Sequence, residues 1–182
     1  MIAFRTDTFY GLGVDPFNSV AVARVRELKG REDKPILLLI SDLDQVDRFI
    51  VERSQQFNRI AAKFWPGPLT IIGKAIEGLP QEITAGTGTV GVRLPNDEVV
   101  RKLVRECGGA LTATSANPAG RSPARSAEDV RAYFPEGIDL IVDGGEVTVT
   151  EPSTVLEATT SPPRIVREGA IRASDIFTGV VS

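Results

Sequence analysis

Histidine is absent from this chain, and cysteine occurs once, at Cys107. The first absence excludes Ser-His-Asp and Cys-His nucleophilic machinery and the usual histidine-bearing zinc sites. The second excludes an internal disulfide framework and makes a reducing, cytoplasmic setting the simpler expectation. Neither sign of charge is in large surplus: 21 Lys and Arg stand against 24 Asp and Glu, a formal net charge of -3. Bulk attraction therefore draws no polyanion, and a nucleic-acid site would have to be a local patch. Long apolar runs are missing too. The longest extends from Ile36 to Ile40, far short of the roughly 20 residues of a membrane-crossing helix, so no membrane partner is expected. Arg5 interrupts the N-terminus, so no signal segment is expected either. The residues left for chemistry are Lys, Arg, hydroxyls, amides and carboxylates.

What is present reads as one domain. The 182 residues are 42% hydrophobic and 25% charged, ordinary globular values that point to a single domain over 1–182 with a substantial core. Residues 2–4 read as the end of a strand, and "TDTFYGLGVDPFN" (6–18) as a loop punctuated by Gly11, Gly13 and Pro16. Val22, Val25 and Leu28 fall on one face of a helix over 19–29, capped by Asn18 and ended by Gly30. "PILLLI" (35–40) has the pattern of a strand covered on both faces. Ser41 or Asp42 then caps a short helix, and 54–64 forms another that "WPGP" (65–68) stops. Strands follow at 69–75 and 90–94, separated by the Gly/Thr-rich loop "ITAGTGT". An acidic first turn and basic later residues mark 97–107 as a helix matched to its own dipole, closed by Gly108 and Gly109. A strand at 111–116, a capped helix at 126–134 and strands at 139–145, 153–158 and 164–169 complete the pattern. Helices and strands interleave while several strands follow one another directly. That mixture predicts an α/β (mixed α+β) fold: a single-domain, open, twisted, mixed β-sheet with helices on both faces.

Four loops place hydroxyl or basic residues directly at strand ends: "TDTFYGLG" (6–13), "KGREDK" (29–34), "TSANPAGRSP" (114–123), and 151–154 together with 167–169. Ligands bind at strand ends in open α/β sheets, so the four can converge on one site. Each also has a plainer reading. Lys29 and Arg31 suit the dipole of the helix they close, "SANPAG" is an ordinary turn, and Thr6–Thr8 can be an Asx or ST turn. Arg93 reads equally as a surface arginine at a strand end. Trp65 reads as a helix stop and core plug more than as a platform for a base, and Tyr10 stays open between the two. Asp143 and Glu146 beside glycines read as a solvated turn, so metal ligands are left unknown. No G-x-x-x-x-G-K-[ST] is present and Gly11 and Gly13 do not extend to G-x-G-x-x-G, so a bound nucleotide needs another device.

Taken in order, "TDTFYGLGVDP", "LKGREDKP", "FWPGPLT", "VGVRLP", "TATSANPAG" and "PSTVLE…RIVREG" resemble the YrdC-like family of threonylcarbamoyl-adenylate synthases. The resemblance runs from about residue 2 to 169 and is to the short, single-domain, bacterial-type branch. It implies a YrdC/RibB-like fold and a nucleotidyltransferase. L-threonine, bicarbonate (or CO2) and ATP would give threonylcarbamoyl-AMP and pyrophosphate, with Mg2+ accompanying ATP. The product would feed the N6-threonylcarbamoyl modification of a tRNA adenosine, which brings in tRNA and downstream threonylcarbamoyl-transferase proteins as expected partners. The family's K-x-R plus S-x-N set matches at Lys29, Arg31, Ser115 and Asn117, implied to be catalytic. The resemblance further implies ATP contacts from these four and from Lys34, Thr89, Thr114, Ser122 and Arg167. It places L-threonine at Thr8, Arg93 and Ser153.

Departures from the family pattern have consequences of their own. Arg5 stands where the family usually has proline, which loosens the turn or adds charge near the site. Leu39 stands where one branch has histidine. The chain starts almost at the first strand and stops soon after "REGAIRASDIFTG", so the extra C-terminal domain of the long branch is not expected. Two other readings stay open. One is a carbamoyl-adenylate-forming domain of the hydrogenase-maturation type, against which the short chain and its "PST" segment count. The other is a double-stranded RNA or tRNA-binding module, against which the acidic balance counts.

Overall fold

The computed structural model describes residues 1–30, 34–149 and 151–178; Arg31, one of the expected catalytic residues, lies outside them. Among the described residues nine strands form one sheet: β1 (Ile2–Arg5), β2 (Tyr10–Gly13), β3 (Leu37–Ile40), β4 (Leu69–Lys74), β5 (Thr89–Arg93), β6 (Ala110–Ser115), β7 (Leu140–Val142), β8 (Thr154–Glu157) and β9 (Arg164–Arg167). Their spatial order is β7-β1-β2-β6-β3-β5-β4-β8-β9. Parallel pairs (β1 with β7, β3 with β5, β4 with β8) sit among antiparallel ones, so the sheet is mixed as its sequence implies. The helices are α1 (Ser19–Lys29), α2 (Gln55–Phe64), α3 (Gln81–Thr84), α4 (Glu98–Glu106), α5 (Ala127–Tyr133) and α6 (Ala173–Phe177). Among the described residues, no helix is long and apolar enough to cross a membrane.

Local chemistry sets the helix ends. The Asn18 side chain accepts the Ala21 N–H at 3.0 Å, and Gly30, at φ 60, ends α1 in the left-handed conformation that glycine adopts without strain. Ser54 caps α2, Asp97 caps α4, and Ser126 with Asp129 forms a capping box on α5.

Four details differ from the sequence reading. β2 is a fully buried strand, not part of a loop. A Cβ on Gly13 would sit 2.7 Å from the Phe4 ring and 3.3 Å from the Thr112 carbonyl, so glycine here serves close packing rather than a turn. The Gly/Thr-rich loop opens with the single turn α3, whose Ile83 plugs the core. The segment after Ser41 is a 3-10 helix over Leu43–Arg48, and Asp42 makes no side-chain cap there. Its carboxylate instead accepts Arg105 Nη2 at 2.7 Å across to α4. Finally α6, absent from the sequence reading, buries Ile176.

Strand alternation sends apolar side chains to both faces. Leu38 and Ile40 of β3 join the larger core with Leu12, Ile71 and Val92, beneath Val22 and Val25 of α1, Phe57 and Ile60 of α2, and Val130 of α5. Leu39 points the other way, into a small cluster with Phe4, Leu111 and Val100 and Val104 of α4. Helices therefore lie on both faces, though unequally. Burying Val100 and Val104 stabilises α4 by roughly 1.5–3 kcal/mol each. Among the described residues α4 contributes the only helical side chains to that cluster, and the rest of its face is left for the site.

Candidate functional site

The sheet face that α4 covers only in part carries a cavity of about 430 Å³, within the range of small-molecule sites. Leu37 and Leu39 of β3 and Ala113 of β6, paired neighbours on one face, form its apolar floor. Its polar walls come from segments far apart in the chain. Thr6 and Thr8 belong to the β1–β2 turn, Thr70 to β4, Arg93 to the end of β5, Thr114 and Ser115 to the end of β6, Ser153 to the start of β8, and Arg167 to the end of β9.

Arg93 is the most constrained of these. It is 5% exposed, its Nη1 donates to Thr8 Oγ1 at 3.2 Å, and its Nη2 forms an ion pair with Asp7 Oδ1. Burial pulls its pKa below the usual arginine value, and the Asp7 carboxylate opposes this by attraction and by its hydrogen bond. The guanidinium remains charged, because arginine does not lose its proton in proteins. Its Nε is buried with no partner among the described residues. A buried donor left unmatched costs about 1–3 kcal/mol.

Next to Arg93, on the strand paired with β5, Thr70 Oγ1 lies 3.1 Å from Ser153 Oγ, and Arg167 Nη2 donates to the Ser153 carbonyl at 2.8 Å and to its Oγ at 3.3 Å. Two devices hold this arrangement. Thr154, fully buried, accepts the Gly169 and Ile171 N–H groups at 2.9 and 3.1 Å and donates to Ile171 O. A Cβ on Gly169 would run into the Pro152 carbonyl, so only glycine lets the chain after Arg167 close onto Ser153.

The expected basic residues stand differently. Lys29 is 4% exposed, and its ammonium donates to the carbonyls of Ser115 and Asn117, the latter at 2.9 Å. It thus reaches the back of the Ser115 wall rather than the cavity lining. Asn117 donates from Nδ2 to Pro118 O and Arg121 O, while its buried Oδ1 has no partner among the described residues. Lys34 shares a shallow crevice with Lys29 and Thr114. Thr89, hydrogen-bonded to Thr87 Oγ1 at 2.9 Å, opens the strand that carries Arg93 but does not line the cavity. Ser122 is exposed one residue before the lining Pro123. The structure therefore gathers Thr8, Arg93, Thr114, Ser115, Ser153 and Arg167 around one hollow, and sets Lys29, Lys34, Thr89, Asn117 and Ser122 outside its lining.

Trp65 is core: its Nε1 donates to Leu69 O at 2.6 Å and its ring meets Phe57 edge-on. Arg5 donates to Gly144 O at 3.0 Å, strapping β1 to the turn after β7. Asp143 accepts Gly145 N–H at 2.9 Å, the turn expected there, and among the described residues no three His, Cys, Asp or Glu groups gather as a metal cage.

Tyr10 is both core and cavity wall. Its hydroxyl donates to Gly145 O at 2.9 Å and accepts Gly144 N–H at 3.1 Å. Burial pushes its pKa up; the Gly144 N–H partly offsets this and the Asp143 charge adds to it. The neutral phenol is thus favoured in the folded state, and its contribution is present below the unfolded value of about 10 and lost as pH rises through the folded value. Tyr10→Phe is expected to lose about 1–2 kcal/mol near pH 8, from two unmatched backbone groups. That deficit should narrow above about pH 10. Urea midpoints for both proteins at the two pH values measure it; a deficit that does not change with pH contradicts the assignment.

Sequence reading missed Asp7 and Thr70. Both lay in quoted motifs, Asp7 between two threonines and Thr70 at an inward strand position after "WPGP", but neither pairing is visible before the strand order is known.

An open mixed sheet with a polar hollow on its less covered face defines an α/β small-molecule-binding domain. The chain belongs to the Sua5, YciO and YrdC family, whose model, described as telomere recombination, matches residues 1–169. A threonylcarbamoyl-AMP synthase of Pyrococcus abyssi is 37% identical over 177 residues, 97% of this chain and 52% of that relative. The one of Idiomarina loihiensis is 35% identical over 161 residues, 86% of each chain. The crystal structure of P. abyssi Sua5 complexed with L-threonine superposes with a TM-score of 0.92 at 35% identity, over 98% of this chain and 54% of that one. The chain thus spans about half the length of the Pyrococcus relative.

Proposed function

We propose that this chain makes threonylcarbamoyl-AMP from L-threonine, bicarbonate and ATP. The observation that carries the reading is Arg93: a buried cation that lines the cavity and is fixed by Asp7 and Thr8. That is a carboxylate receptor beside the hydroxyls of Thr8, Thr70 and Ser153. Relatives named threonylcarbamoyl-AMP synthase and a threonine-bound Sua5 of similar fold support it. The amino acid's carboxylate sits on Arg93 and its polar groups meet Thr8 and Ser153. A site that hydrogen-bonds the threonine hydroxyl rejects analogues without it far better than pocket size alone.

The chemistry suits a chain without histidine. Threonine's amine and CO2 give an N-carboxylate that is already anionic, so its oxygen attacks the α-phosphorus without a base to unmask it. The P–O bond to pyrophosphate breaks as the new one forms, and the protein's work is positioning and charge neutralisation. Arg167 and Ser115, which both line the cavity, meet the phosphates. Arg31 and Lys34 neutralise the leaving pyrophosphate, and Thr89, Thr114, Asn117 and Ser122 hold the nucleotide. Mg2+ enters as MgATP, held by phosphate oxygens and water, its usual preference. The product passes to a threonylcarbamoyl-transferase acting on tRNA, and ATP and tRNA set the reaction in the cytoplasm.

ATP–pyrophosphate exchange tests this. Exchange is expected only with both L-threonine and bicarbonate. Exchange driven by carbamoyl phosphate would instead assign the hydrogenase-maturation chemistry, and no exchange under either condition overturns the synthase reading.

A further inference from the structure

We infer that Asp7 is a positioning residue for amino-acid recognition, acting on the ligand's carboxylate through Arg93. Three observations converge. Asp7 does not line the cavity, whereas Arg93 does. The Asp7 carboxylate is fixed at both oxygens, Oδ1 by Arg93 Nη2 and Oδ2 by the Asn96 N–H at 3.2 Å. The Arg93 Nε, buried in a side chain 5% exposed, has no partner among the described residues.

An arginine offers five N–H donors in a rigid plane. Asp7 and Thr8 each take one, on different terminal nitrogens. Two anchored corners set the orientation of a planar group completely, so the remaining donors have one direction before any ligand arrives. Preorganisation of this kind strengthens binding by removing the ordering cost from the binding step. The Asn96 N–H matters because it holds the carboxylate at the end of β5, where Arg93 itself begins. Asn96, three residues beyond Arg93, thus ties the carboxylate to the chain that carries the guanidinium.

Charge alone points the other way. Removing the Asp7 carboxylate leaves a bare buried cation, which attracts an anion more strongly. Positioning and charge therefore predict opposite signs for Asp7→Asn, and the sign of the change decides between them.

This inference rests on the threonine reading above, and calorimetry of the whole chain separates the two. L-threonine and ATP are titrated separately into the wild type, Asp7→Asn and Asp7→Glu. Asp7→Asn is expected to bind L-threonine about tenfold more weakly, with ATP affinity within about twofold. Asp7→Glu, which keeps the charge but displaces it by one methylene, is expected to weaken threonine by about threefold, and it decides alone should the asparagine variant not fold. Unchanged or tighter threonine binding overturns the role of Asp7 and leaves the synthase reading standing, as does equal weakening of both ligands, the mark of a merely structural residue. Absence of threonine binding to the wild type overturns both.

Discussion

Arg93→Gln is expected to abolish threonine-dependent ATP–pyrophosphate exchange, by about a hundredfold or more, and to destabilise the fold as well. Both effects have one origin. Glutamine fits the space at the end of β5 but takes away the cation that Asp7 is paired with. The Asp7 side chain is 13% exposed, so its carboxylate is left in a region with little water to solvate it. Breaking a buried ion pair from one side costs about 3–5 kcal/mol. The lower end applies here, because Asp7 Oδ2 keeps the Asn96 N–H. Urea unfolding measures the stability loss, and exchange assayed at equal folded fraction measures the catalytic one. Exchange within about threefold of wild type would place the carboxylate receptor elsewhere. A stability loss without an exchange defect would make the pair a structural bolt. Neither is expected, because the side chain that lines the cavity is the one paired with Asp7.

The architecture was largely legible because it rests on local signals. Asn18 and Gly30 mark both ends of α1 in sequence, and the apolar run of β3 has no other comfortable place than a covered sheet. β2 was not legible. Gly11 and Gly13 promise turns in isolation, and only the proximity of Phe4 and Thr112 explains Gly13 as a strand residue. The site divides along the same line. Residues at strand ends could be marked as candidates, since a hydroxyl or cation there is exposed to whatever the strand order brings near. Pairings such as Asp7 with Arg93, or Thr70 with Ser153, span more than 80 residues and exist only through the order β2-β6-β3-β5-β4-β8. Lys29 shows the limit most clearly. Its position at a helix C-terminus suggests a cation facing an anion, and only the fold reveals that its ammonium also donates to the carbonyls of Ser115 and Asn117.

That geometry yields the second large effect. Lys29→Met keeps the apolar stem and so isolates the loss of the ammonium. Ser115 O retains the Asn117 N–H at 2.9 Å, so its loss is partial. The Asn117 carbonyl loses the 2.9 Å donor. The net expectation is a stability loss of about 1–3 kcal/mol, below that of Arg93→Gln. The functional effect is larger than this suggests, because the two carbonyls belong to residues that shape the wall at Ser115. Once the turn relaxes, Ser115 no longer stands where β6 places it, and ATP is expected to bind at least about tenfold more weakly while L-threonine binding on the Arg93 side changes little. Lys29→Arg separates charge from shape: a fork cannot enter a buried space built for a point donor, so restored charge should not restore ATP affinity. Recovery of ATP binding in the arginine variant would show instead that Lys29 acts on the phosphates directly. The contrast turns on one feature of the fold, a helix C-terminus packed against the turn that follows β6, where the Ala119 N–H meets the Lys29 carbonyl at 3.2 Å. Backbone and side chain of one lysine clasp the same turn, so the wall at Ser115 and the end of α1 are held to each other.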